Sequence, residues 1–159
     1  MIYRIGMAAM LAAAFLGAAP QSAKRTDSPD MKEIRDYRLT MDNIQKFIAA
    51  FKVISKDEAV KKCEAANNAG NATTLDLGQK QLESCPAAVA DLTSQGLKPR
   101  EFLLLTANVM GNFMAVGMKR AGQIKEYPAA ISPENAAFVE KNFDKLKSIM
   151  EPLMNGGGK

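Results

Sequence analysis

The sequence contains no histidine and no tryptophan, and it has only two cysteines among 159 residues. Without histidine the chain alone cannot build a Ser-His or Cys-His nucleophile pair, a His-ligated zinc or haem site, or a ferritin-type Glu-x-x-His site. The C-x-x-C-H haem attachment pattern, the P-loop and the dinucleotide-binding glycine pattern are also missing. Excess charge is small: Lys plus Arg is 21 against 17 for Asp plus Glu, a net of +4. No Lys/Arg run is interleaved with aromatics, and the signs alternate along the chain as on a solvated mixed-charge surface. These absences argue against nucleic-acid binding and against a conventional enzyme, and they assign no cofactor. The length fits one ordinary domain.

What is present begins with an export pattern. Arg4 supplies one positive charge, and Ile5 to Gly17 follows without a charged or strongly polar side chain. Small residues come next, then Lys24-Arg25. This order reads as a secretory signal peptide over residues 1–23, with an apolar core shorter than the roughly 20 residues of a membrane span. Its removal leaves 20 basic against 17 acidic residues, or +3 over 136 residues, and no stable membrane span is expected afterwards. The expected location is the periplasm or the exterior.

Residues 24–38 are polar, contain Pro29 and read as a linker, with a helical-bundle domain over 39–154 and a flexible tail over 155–159. Ile44, Phe47, Ile48, Phe51 and Ile54 recur at three and four residues, the period of one buried helix face. Thr40 is placed to cap that helix, and Ser55 with Glu58 has the spacing of a capping box for the next. Asn67 to Asn71 is turn chemistry. A helix starting near Leu75 either kinks at Pro86 or gives way to a second one there, and Gly96 closes it. Phe102 to Met118 runs seventeen residues without a charge, ended by Lys119, Arg120 and Gly122. Thr106, Asn108 and Asn112 within it favour the central helix of a bundle over a membrane span. Ser132-Pro133-Glu134 opens a last amphipathic helix. The expected fold is all-α, five or six helices, with Phe47, Phe51, Phe102, Phe113, Phe138 and Leu146 in the core.

Cys63 and Cys85 are equidistant from residue 74, at the edge of the turn, so an antiparallel hairpin brings them side by side. With the export pattern this predicts a structural disulfide. Met110, Met114 and Met118 recur every four residues, and Met150 and Met154 repeat the interval on the last helix. The plain reading is an adaptable core filler. The sharper alternatives are a small-ligand carrier, with Asn108 and Asn112 taking a polar group, or a Cu(I) site built from these five thioethers. For Asn108 and Asn112 the simpler reading is a helix edge that reaches water. Ala107, Gly111 and Ala115 form a stripe of small residues, which packs within the chain by default or mates two copies. Another envelope protein is the other kind of partner. Asn71-Ala72-Thr73 matches a glycosylation acceptor. Asp76, Asp91 and Glu101 are the acids left for catalysis, and no spacing among them marks a two-carboxylate site.

Three stretches, LTMDNIQKFIAAFKVI, GLKPREFLLLTANVMGNFMAVG and ISPENAAFVEKNFDKL, resemble in pattern and order small exported α-helical bacterial proteins of uncharacterised function. The resemblance spans most of residues 39–146, implies export and an all-helical fold, and carries over no site residue. The reading that follows is an exported, non-catalytic helical binding or interaction protein.

Overall fold

Local capping and turn chemistry sets several of the helix boundaries of this chain. The computed structural model describes residues 28–66 and 72–154, with side chains through 151. The signal-peptide segment, the Asn67–Asn71 turn with its acceptor Asn71, and the tail lie outside the described residues. Among the described residues there are eight helices and no strand, which is the expected class with more pieces than the expected five or six.

The first extra helix falls within the stretch read as a linker. α1 spans Pro29–Asp36, with Pro29 in its first turn and the Ser28 hydroxyl accepting the Met31 amide at 3.2 Å. Eight residues are too few to hold a helix in water, so α1 depends on burying Met31 and Ile34. α2 (Met41–Ile54) follows Thr40 and buries Ile44, Phe47, Ile48 and Ile54, as their spacing predicts. α3 (Glu58–Ala66) is capped by Asp57 rather than by the predicted Ser55 box. Asp57 Oδ1 accepts from the Ala59 amide at 2.6 Å and the Val60 amide at 3.3 Å, whereas Ser55 Oγ donates back to the Lys52 carbonyl.

α4 (Leu75–Glu83) begins under Thr74, whose hydroxyl accepts the Leu77 amide. Pro86 resolves the kink-or-break choice as a break: α4 ends and α5 (Pro86–Ser94) starts with Pro86 at its head. Gly96, at φ +70°, ends α5 with Leu97 N–H bonded to the Leu92 carbonyl and Gly96 N–H to that of Thr93. Gly122, at φ +71°, ends α6 (Pro99–Arg120) through the same pair of bonds to Met118 and Lys119. Both are Schellman stops, which need the left-handed angle glycine gives freely.

The predicted last helix is two. α7 (Pro133–Lys141) and α8 (Phe143–Met154) are divided at Asn142, whose side-chain Nδ2 donates to the Phe138 carbonyl at 2.8 Å. A short amide side chain competing for a backbone carbonyl interrupts the helix ladder. α6 is the one helix among the described residues long and apolar enough to cross a membrane, and more than half of that stretch is buried inside the protein.

The described residues divide into two compact units, 41–107 and 28–40 with 108–154, and the division falls within α6. In the first unit α5 packs against α2, α3 and α4. Phe47 is fully buried and its ring lies 5.5 Å from Phe102, while Phe51 is half-buried at its edge. The Cys63–Cys85 disulfide forms as expected, with Cα atoms 5.9 Å apart, and ties α3 to the α4–α5 junction. In the second unit Ala115, Ile131 and Ala136 form a buried cluster against Tyr127, α7 packs on α8, and Leu146 is buried. Phe113 and Phe138, expected in the core, are only half-buried.

The disulfide closes a 22-residue separation, for which the chain-entropy account gives about 3 kcal/mol. Thiol titration of denatured, unreduced protein is therefore expected to find no free thiol. Reduction should lower the unfolding free energy by about that amount in a urea titration.

Candidate functional site

The second half of α6 carries most of the residues singled out from the sequence. Asn108 and Asn112 are not at a helix edge in water; each is only 2% exposed. Asn108 Nδ2 donates to the Ile34 carbonyl at 2.7 Å, in the last turn of α1, where that oxygen also accepts the Tyr37 amide at 3.3 Å. Asn108 Oδ1 accepts from Asn135 Nδ2 at 2.9 Å. Asn135, on α7 and equally buried, also donates to the Tyr37 carbonyl at 2.7 Å and accepts the Leu39 amide at 2.9 Å. Asn112 Nδ2 donates to the Asn108 carbonyl at 2.8 Å, and its buried Oδ1 has no partner among the protein atoms. Sequence reasoning missed Asn135. Its placement in the first turn after Ser132-Pro133 gave no sign of a partner 96 residues away.

With Asn108, Val109, Asn112, Ala115 and Val116 buried, helix periodicity sends Met110, Phe113, Met114 and Gly117 to the opposite side. Met114 is 42% exposed, while Met110, Phe113, Gly117 and Met118 are half-buried. The outward side of α6 is therefore apolar over about three turns. The Phe143 ring covers Gly117, where a Cβ would touch it at 3.7 Å. Phe143 stacks on Phe113 with ring centres 4.8 Å apart. Two cations stand at the end of this face, Arg120 over the Phe143 ring at 4.5 Å and Lys119 over the Tyr127 ring at 4.2 Å. Arg120 also meets Asp144 at 3.2 Å, and the Tyr127 hydroxyl donates to Glu140 at 3.2 Å. Burial, and then the Glu140 charge, push the Tyr127 phenol above its ordinary range.

The methionines of the proposed carrier site occupy unlike surroundings. Met150 on α8 is fully buried, Met114 is exposed, and the side chain of Met154 lies outside the described residues. The small-residue stripe packs within the chain: Ala115 is buried with Ile131 and Ala136, and a Cβ on Gly111 would touch Ile131 at 3.7 Å. Ala107 is half-buried. Those contacts leave Ala115 no surface for a second copy.

The candidate acids each have their own neighbour. Asp76 pairs with Arg100 at 2.6 Å, and Glu101 contributes its charge to the surroundings of Lys46. Asp91 lies against Asp57, the cap of α3, and burial followed by the Asp57 charge raises its carboxyl above the usual range. This carboxylate pair comes from two separate elements, so no spacing in the sequence announces it. Asp57 Oδ1 is already engaged by two backbone amides, which makes the pair part of a helix terminus. Among the described residues no group of three or more His, Cys, Asp or Glu is placed to hold a metal. Comparison of the chain with protein-family profiles, with characterised proteins and with solved structures finds no match.

Two outcomes are expected. Asn135→Ala leaves the Tyr37 carbonyl and the Leu39 amide without their partner. It should cost about 2–4 kcal/mol in urea unfolding and speed amide exchange at Leu39. Asp91 holds its proton to higher pH in the folded than in the unfolded chain. Its contribution is therefore full below the unfolded value and lost as pH rises through the folded one. Asp91→Asn should raise Tm at pH 7 by about 1–2 °C and give no gain near pH 3, where Asp91 is largely protonated in the folded and unfolded chain alike.

Proposed function

We propose that this chain is an exported, non-catalytic binding protein. Its contact surface is the outward face of α6, and its partner is an amphipathic helix of another protein. The observation that carries the reading is the methionine face itself: Met110, Met114 and Met118, with Met114 exposed, on the side of α6 away from its buried asparagines. Methionine is unbranched and polarisable, and it adapts to differing apolar partners. Amphipathic helices dock through apolar stripes against such faces. The cations Lys119 and Arg120 at one end favour a partner whose apolar stripe is flanked by carboxylates. Export is supported by the signal-like N-terminus and by a disulfide that uses both cysteines.

The test titrates the protein with two synthetic amphipathic helices that share a leucine stripe and differ in flanks, one with glutamates and one with lysines. The glutamate-flanked peptide is expected to bind. Met114→Asp is expected to weaken it at least tenfold while leaving Tm unchanged. Equal binding by the variant, or binding to anionic phospholipid vesicles and to neither peptide, overturns the reading. So does withdrawal of Cu(I) from a chromogenic competitor that is lost in Met114→Leu/Met118→Leu.

A further inference from the structure

Two-electron oxidants attack thiolates first, and after them thioethers. This chain holds no thiol to intercept them, because both of its cysteines are in the bridge, and it has no tryptophan or histidine. Methionines remain as the principal targets, seven of them beyond the signal-like segment, and their reactivity follows access to the sulfur. Among the methionines whose side chains are described, Met150 is fully buried and Met31 is 8% exposed. Met41, Met110 and Met118 are half-buried, and Met114 alone is exposed, at 42%.

We propose that Met114 is a sulfoxidation site, modified by peroxides or hypohalous acids of the exported compartment. In the peroxide case the Met114 sulfur attacks the near oxygen of the peroxide. An S–O bond forms as the O–O bond breaks, the sulfur loses two electrons to give the sulfoxide, and the departing oxygen takes up the protons as water. The product replaces an apolar sulfur with a strongly polar S=O group at the middle of the α6 face, between Met110 and Met118. On the reading given above, that change releases an apolar partner. The selectivity of the modification stands independently of that reading.

The experiment exposes the full chain to a limiting series of hydrogen peroxide and maps sulfoxide by fragment-ion mass spectrometry. The protein is folded in one series and urea-denatured in the other. In the folded protein Met114 is expected to oxidise several-fold faster than Met110, Met118 and Met41, with Met31 and Met150 slowest. In urea the six are expected to converge. Equal rates in the folded protein, or Met150 keeping pace with Met114, overturn the proposal. The oxidised protein is then titrated with the glutamate-flanked peptide, with Met114→Leu as the variant that cannot be oxidised there. Selective oxidation with unchanged peptide binding would leave Met114 as the modified residue and remove the contact face. Loss of binding after peroxide in the wild type, spared in Met114→Leu, would support both.

Discussion

A stretch of chain that leaves a helix inside a protein must find partners for the backbone groups it uncovers, and this constraint organises the unit formed by 28–40 and 108–154. The Tyr37 carbonyl and the Leu39 amide need partners where α1 gives way to α2, and the Ile34 carbonyl can take one beside the Tyr37 amide. Two asparagine side chains from α6 and α7 provide them. The Tyr37 carbonyl and the Leu39 amide would each cost about 1–3 kcal/mol if buried without Asn135, while Asn108 adds a second bond to an Ile34 carbonyl that already takes the Tyr37 amide. The amides in turn fix the rotation of α6. Two residues along a helix is a turn of about 200°. Met110 lies two residues after Asn108 and Met114 two after Asn112, so burying the asparagines turns the thioethers outward. The apolar outer face is a consequence of the polar inner one.

That inversion explains what could be read from the sequence and what could not. Several helix ends were legible from local rules: Pro86, Gly96, Gly122 and Ser132 all act as their residue types predict. The disulfide was legible because both cysteines flank one turn. Local rules failed where two of them competed, as when Asp57 outbid Ser55 for the α3 amides and Asn142 split the last helix. They failed again where distant partners decide. Nothing near Asn108 signals that its partners are residues 34 and 135, so a helix edge in water was the natural expectation. α1 was hidden for the same reason, since its eight residues become helical only through what they dock against.

The two units meet the same stability problem by different chemistry. The unit 41–107 buries leucine, isoleucine and phenylalanine around α5 and adds one covalent tie. The other unit buries fewer large apolar groups and relies on directional amide bonds, which hold a single register more strictly than apolar contact does. A defined register matters for the outer face, because a rotation of α6 that exposed the asparagines would bury Met114.

The placement of these ties along the chain also implies an order of assembly. Cys63 and Cys85 are 22 residues apart, and both precede α6, so their loop is complete before the long helix has been made. α1 is the first described helix, yet its partners Asn108 and Asn135 come 74 and 96 residues after the groups they bind. A chain emerging from its N-terminus can close the covalent loop early, while α1 waits for α7. Contacts of such long sequence separation are slow to form. α1 can therefore take up its bonds to Asn108 and Asn135 only after both α6 and α7 have been made.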